Sequence, residues 1–285
     1  QQTIDYGYDT ESLMTARMGL MDGDYPTQPA RKLFFDRLVR ELGAHQEFEA
    51  VALTNKFRMV FSGSGPVEIE GREYKENKDR LNANFEQVTP GYFDVIGQPL
   101  IEGRRFQDDD LDTKLPVAIV NAAFARKYFG NESPLGRRFR ALEANTLQPG
   151  PWRTIVGVVK TVRMMPPFNI PNVDETGFYV PFYSQPTGPI QPGPFAAQFA
   201  TVLVNPRGGL GPTQGPNPIG MAGGGGGGGG FGGNIFSGTV AATTLTVGSP
   251  PIEIVAQLDR SGAAPVFRLR WSRDGATISS TSVTM

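Results

Sequence analysis

The densest hydrophobic patterning in the chain lies at residues 88–130, and it predicts a dense run of short elements. Thr89-Pro90-Gly91 predicts a turn, because proline presets φ and glycine tolerates positive φ. Tyr92, Phe93, Val95 and Ile96 predict a short apolar helical turn, ended by Gly97. Residues 99–104 predict a short strand and a tight turn. Residues 114–120 predict a buried strand. Asn121 stands where it can cap the next helix, whose Phe124 and Tyr128 lie four apart on one face. Gly130 closes that helix.

Upstream, the partial alternation at residues 12–20 predicts a strand. Pro29 opens a predicted helix that runs to Leu42 and ends at Gly43. Its apolar face is read as Leu33, Phe34, Leu38 and Leu42, widened by Phe35 and Val39. Residues 48–53 predict a second strand, which makes a split βαβ unit. Residues 55–65 read as a loop. Residues 67–74 and 82–89 predict a hairpin leading into the central stretch.

Downstream, Pro134-Leu135-Gly136 predicts a turn into a basic strand at 137–142. Residues 152–163 predict an apolar strand, with Gly157 at a bulge or a close approach. Residues 164–172 read as a proline-rich loop. Residues 177–183 predict a short strand, where Pro181 suggests an edge position. Residues 196–204 and 239–247 predict strands. Pro250-Pro251 opens a predicted helix over 252–262, ended by Gly262, and 266–271 predict a closing strand. Residues 272–285 carry little pattern.

Composition alters this picture locally. The 36 glycines and 24 prolines concentrate in the last third, and Gly223 to Gly230 form a run with the composition of a flexible linker. A net charge of −1 argues against a dominant nucleic-acid or anionic-membrane footprint. With no cysteine there is neither a disulfide framework nor thiolate chemistry. No apolar run reaches membrane-spanning length and no signal peptide is present.

Candidate chemistry is sparse. The cluster Asp108, Asp109, Asp110 and Asp112 lacks EF-hand spacing, so it reads as a helix start or a solvated loop rather than a calcium site. Arg104, Arg105, Arg137, Arg138 and Arg140 either hold an anionic ligand or pair with Asp108 to Asp112, and pairing within the domain is the simpler account. His45 is the single histidine, which excludes multi-histidine metal sites and leaves almost no scope for a Ser-His-Asp triad. The glycine-rich stretches lack the GxxxxGK[ST] pattern of a phosphate loop, so no nucleotide or other cofactor is expected. Phe57, Met59, Phe61, Met164, Met165 and Phe168 stand in loops. They either form a partner-binding surface or cover the junction between subdomains.

The ordered blocks PGYFDVIGQPLIEGRRF, PVAIVNAAFARKYFG, PLGRRFR, IVGVVKTVR and FYVPF resemble the MacB-like periplasmic core domain, over roughly residues 6–183. The resemblance is greatest to the large duplicated permeases of acidobacteria. It implies an extracytoplasmic domain between the first two membrane helices of an ABC-type permease, on the periplasmic side of the bacterial inner membrane. It implies no active site. The implied partners are an ABC ATPase subunit or domain, reached through the membrane part, and a periplasmic protein; no nucleic acid is expected. The residues after 205 depart from the family pattern.

The expected fold class is α+β with two subdomains. One is a discontinuous porter-like α/β sheet module from residues 1–75 and 195–285, with a Gly-rich insert at 205–238. The other is an inserted mixed α/β subdomain at 76–194. Strands at 12–53 are too few to bury a face alone. Residues 14–20 or 51–53 are therefore expected in one sheet with 201–204 or 267–269. The expected function is non-catalytic: transmission of ATP-driven conformational change to a partner or substrate outside the membrane. The alternatives are a secreted or surface binding module and, disfavoured by the lack of a nucleophile–base pair, a hydrolase.

Overall fold

The structure is a computed structural model that describes residues 7, 13–20, 25–44, 46, 48–55, 63–111, 116–164, 174–188, 195–197, 199–206, 240–247, 252–259, 266–273 and 276–284. The chain begins with β1 (Met14–Gly19), α1 (Gln28–Gly43), β2 (Phe48–Thr54), β3 (Gly63–Ile69) and β4 (Asn82–Val88). It continues through α2 (Tyr92–Val95), β5 (Leu100–Gly103), β6 (Val117–Asn121), α3 (Ala122–Phe129), β7 (Arg138–Ala141), β8 (Arg153–Val159) and β9 (Gly177–Pro181). Five strands follow: β10 (Phe199–Pro206), β11 (Val240–Val247), β12 (Ile252–Asp259), β13 (Val266–Arg273) and β14 (Ala276–Thr284). Among the described residues no helix is long and apolar enough to cross a membrane. Two compact units form, Thr10–Val51 with Gln198–Met285, and Gln1–Asp9 with Ala52–Ala197.

In the first of these units the strand order runs β1-β10-β2. β1 and β10 are antiparallel, from Met14 opposite Val204 to Gly19 opposite Phe199. The N-terminal strand thus shares a sheet with a strand almost two hundred residues later. Thr27 caps α1 by accepting the Ala30 amide at 3.3 Å, and a proline sits in the first turn. Phe34, Phe35, Leu38 and Leu42 are its buried stripe, but Leu33 is 70% exposed, which corrects the expected apolar face. At 100° per residue Leu33 sits roughly 150° round the helix from the centre of that stripe.

The last four strands form their own antiparallel meander, β11-β12-β13-β14. Two sequence expectations fail here. Residues 252–259 are a strand, not a helix. Ile252, Ile254, Ala256 and Leu258 alternate with Glu253, Val255, Gln257 and Asp259, and β-branched residues favour the pleated strand. Residues 276–284, read as weakly patterned, form β14. Val266–Arg273 therefore closes no N-terminal sheet but lies between β12 and β14.

In the second unit the ladders close on themselves. β4 pairs β3, β3 pairs β7, β7 pairs β8, β8 pairs β6, β6 pairs β9, and β9 returns to β4. All six strands of this ring place residues in one buried cluster, among them Val67, Ala83, Val120, Phe139, Ile155 and Phe178, which Phe124 and Tyr128 of α3 complete. The aromatic rings of Phe124, Phe139 and Phe178 meet at centroid distances of 5.0–6.3 Å, an edge-on and tilted arrangement favoured by their quadrupoles. On the other face of β9, Tyr179 packs against Tyr92 and Phe93 of α2.

Closure also places β9 in the interior of the ladder, parallel to β4 on one side and antiparallel to β6 on the other, so the expected edge position of Pro181 is corrected. The β6 ladder ends at Tyr179, two residues earlier. The direction in which Pro181 would donate therefore meets no rung, which is how an inner strand tolerates proline. Gly157 behaves as expected. The β6–β8 register shifts beside it, and a Cβ there would stand 2.2 Å from the Arg104 carbonyl oxygen.

Candidate functional site

The polar groups with the strongest local organisation lie in the second unit, where the end of β2 meets β4 and the chain after β9. β2 and β4 join at Thr54 opposite Val88. The Leu53 amide donates to the Thr89 hydroxyl at 2.9 Å, and the Thr54 hydroxyl donates to a Glu86 carboxylate oxygen at 2.7 Å. The second Glu86 oxygen accepts the Tyr92 hydroxyl at 2.9 Å. Asn55 and Gln87 bind each other three times: Asn55 Nδ2 donates to Gln87 Oε1 at 2.5 Å, the Gln87 amide donates to Asn55 Oδ1 at 3.0 Å, and the Asn55 amide donates to the Gln87 carbonyl at 3.2 Å. Gln87 Nε2 reaches the Phe182 and Ser184 carbonyls at 3.1 and 2.8 Å. Buried polar groups matched in this way fix one geometry, because each broken pair leaves a desolvated partner.

Arg153 stands at the end of this seam. It shares the ring-facing side of β8 with Ile155 and is 1% exposed. Its guanidinium donates to the Ser184 hydroxyl at 2.8 Å and to the Gln185 carbonyl. Burial pulls it down to about 10, so it stays protonated at neutral pH. Both of these partners are neutral, and its Nε has no hydrogen-bond partner among the described residues. Nothing in the sequence pattern marked Arg153, since a lone arginine opening an apolar strand reads as solvent-facing.

The arginine clusters pair within the unit. Arg104 grips Asp110 with two nitrogens at 2.5 and 2.9 Å. Arg105 pairs Asp94, Arg137 pairs Glu132 at 3.3 Å, and Arg138 pairs Glu70. Arg140 and Arg80 both bind Glu68, at 2.6 Å each. Arg140 also lies 4.5 Å from the Trp152 ring centroid, a cation–π contact. Burial alone would raise the Glu68 carboxyl, but hydrogen bonds from Arg80 and Arg140 outweigh it and hold the group below the usual range. Asp110 behaves likewise: burial opposes ionisation, and Arg104 with the Gln107 amide overcomes it. Asp108 and Asp109 stand in a short 3-10 turn, and Asp112 lies outside the described residues.

The apolar loop residues part company. Met164 is 5% exposed, its sulfur against Asn121 Nδ2 at 3.9 Å, and its amide donates to Glu175 at 2.7 Å. Phe57, Met59, Phe61, Met165 and Phe168 lie outside the described residues, as does His45. Among the described residues no group of three or more histidines, aspartates or glutamates is placed to hold a metal ion.

A family model for the MacB-like periplasmic core domain matches residues 6–209. The macrolide export ATP-binding/permease protein MacB of Aggregatibacter actinomycetemcomitans is 36% identical over 61 residues, which cover 21% of this chain and 10% of that protein. The match thus spans about a tenth of the length of that curated relative. Among solved structures, the periplasmic region of MacB from Actinobacillus actinomycetemcomitans aligns with a TM-score of 0.42 at 18% identity, over 69% of this chain and 76% of that one. The extracellular domain of the noncanonic ABC-type transporter YknZ from Gram-positive bacteria aligns with a TM-score of 0.39 at 19% identity, over 68% and 83%.

Proposed function

This chain belongs to the MacB-like periplasmic core domain family, and from that premise we propose that it transmits ATP-driven movement in a membrane to a partner or substrate outside it. It is the periplasmic domain of a MacB-like ABC transporter permease, on the periplasmic side of the inner membrane. The family is not a catalytic one. The ATPase partner is an ABC subunit or domain reached through the membrane part of the same permease. The single observation that carries the reading is the family match across residues 6–209.

The closed ladder of the second unit supports this reading. The closed ring of the second unit is the stiff body in this reading, and the polar seam at Thr54, Glu86 and Gln87 joins the end of β2 to it. A stiff body attached through few chain crossings acts as a lever with a hinge. The chain passes between the two compact units at Asp9/Thr10, Val51/Ala52 and Ala197/Gln198. The proposed domain division, a module from 1–75 and 195–285 with 76–194 inserted, draws support from the β1–β10 pairing, which joins the two ends of that module. Burial leaves Met164 no partner-facing role. That role is proposed for Phe57, Met59, Phe61, Met165 and Phe168.

The 285 residues carry no cysteine of their own, so a pair of labels can be placed within them. Arg40→Cys on α1 and Glu132→Cys on the ring unit are introduced into the full permease and spin-labelled. The distance distribution is read by pulsed electron paramagnetic resonance with and without ATP trapped by vanadate. A shift between the two states supports transmission; identical distributions overturn it.

A further inference from the structure

We propose that residues 182–188 form a strap across one rim of the ring, that the strap lifts in one piece while the ring stays folded, and that Arg153 is its latch. The course of the strap follows from the ladders. β9 and β4 run parallel and end together, Pro181 beside Val88. β3 is antiparallel to β4, β7 to β3 and β8 to β7, so the end of β7 at Ala141 and the start of β8 at Arg153 reach that same rim. Turns and bends carry the chain on from Pro181. By Gly188 it lies beside the end of β7, the strand opposite β9 in the ring. A Cβ on Gly150 would stand 2.9 Å from the Ala141 carbonyl oxygen and 3.2 Å from that of Gly188. A Cβ on Gly65 of β3 would stand 3.9 Å from Thr187 Cγ2. Residues 182–188 therefore cross the mouth of the ring from one wall to the other.

Two side chains of the ring reach the strap, and their grips differ. Gln87 of β4 is fully matched: its Nε2 donates to the Phe182 and Ser184 carbonyls, and its Oε1 accepts from Asn55. Arg153 of β8 is a buried cation on two neutral acceptors, the Ser184 hydroxyl and the Gln185 carbonyl. Its Nε is orphaned among the described residues, and so is the buried Oε1 of Gln185. Unmatched buried polar atoms are rare in folded proteins, and each calls for a specific account. Both of these belong to residues that meet where the strap rests on β8. Lifting the strap hydrates the guanidinium and both orphaned atoms, and so returns their desolvation cost. The closed strap is thus held by hydrogen bonds and opposed by desolvation, while the ring beneath it is held by its own ladders. Beyond the strap, the Phe195 amide donates to the Tyr183 carbonyl at 2.9 Å, and the chain leaves this unit at Ala197/Gln198. An open strap lengthens the connection from β9 to that crossing without breaking a rung of the ring.

The test is amide hydrogen exchange of the 285-residue chain, read residue by residue by nuclear magnetic resonance with small additions of urea. The Ser184 amide, bonded to the Pro181 carbonyl at 2.8 Å, and the Phe195 amide report the strap. The Asn84 amide, bonded to the Thr176 carbonyl at 2.8 Å, and the Ile155 amide, bonded to the Arg137 carbonyl at 2.9 Å, report the ring. Relative to intrinsic rates, the strap amides are expected to exchange at least about tenfold faster than the ring amides. Their urea dependence should be weaker, because a local opening exposes little surface. Ser184→Ala removes one of the two acceptors of the latch. It is expected to speed Phe195 exchange about tenfold further and to leave Asn84 and Ile155 unchanged. Equal protection and equal urea dependence of all four amides overturn the proposal, since the strap then opens only with the ring. So does a Ser184→Ala variant that leaves Phe195 unchanged, or that speeds Phe195 and Ile155 alike.

Discussion

Asn121 and Gly177 are joined between neighbouring strands of the ring: the carboxamide oxygen of Asn121 accepts the Gly177 amide at 3.1 Å while it caps α3 through the Phe124 amide at 2.9 Å. Its Nδ2 donates to the Glu175 carbonyl at 2.6 Å. One side chain therefore ends β6, starts α3 and fixes the start of β9. Asn121→Ala removes the cap and strands two buried amides, which is expected to cost about 3 kcal/mol. Urea unfolding followed by tyrosine and tryptophan fluorescence measures it. A loss no larger than that of an ordinary helix cap would show that β9 is held elsewhere.

Glu68 sets an acid limit. Its folded carboxyl is held below the ordinary range, so its stabilisation is fully present above the unfolded value near 4 and is lost as pH falls through the lower folded value. The melting temperature should stay flat from pH 7 to about 5 and fall below about 4. Glu68→Gln leaves Arg80 and Arg140 without their carboxylate and is expected to cost about 2 kcal/mol at neutral pH. The variant should also lose part of the acid-side slope, so parallel curves for the two proteins would count against the assignment.

Gly157 is a packing constraint rather than a flexible point. A methyl group there must displace the backbone of Arg104, not a side-chain tip. Gly157→Ala is expected to cost about 3 kcal/mol, as overpacking of a closed core does. Thermal unfolding checks this, with Gly130→Ala as a comparison in which the added methyl meets nothing within 4 Å and the cost comes from its φ of 65°.

Helix α1 gives a contrast within one element. Leu38, fully buried, is expected to lose about 3 kcal/mol on truncation to alanine. Leu33→Arg is expected to change stability by less than about 0.5 kcal/mol, since Leu33 is exposed. Denaturant midpoints of the two variants settle which residues form the stripe.

What was legible in the sequence was local. Thr89-Pro90-Gly91, the Asn121 cap and the Gly157 close approach all rest on chemistry within a few residues, and each appears where expected. The β3–β4 hairpin and the strand before α1 were legible from their pattern. Pro181 misled because edge position depends on which distant strands flank β9, and the β4–β9 ladder joins residues about ninety apart. Residues 252–259 misled because Pro250-Pro251 was read as a helix start, although the two-residue alternation after it favoured a strand. Arg153 was illegible, since its burial is made by Ser184 and Gln185, thirty residues on. The arginine pairs were foreseen in kind but not in partner: of the five, only Arg104 turns to the aspartate cluster.

Closure of the ring in the second unit decides how that body fails under load. An open sheet can be unzipped one rung at a time from its outermost strand. In the ring β4-β3-β7-β8-β6-β9 every strand has a neighbour on both sides, so none can peel first. Loss of any one strand from it must break two ladders, one on each side.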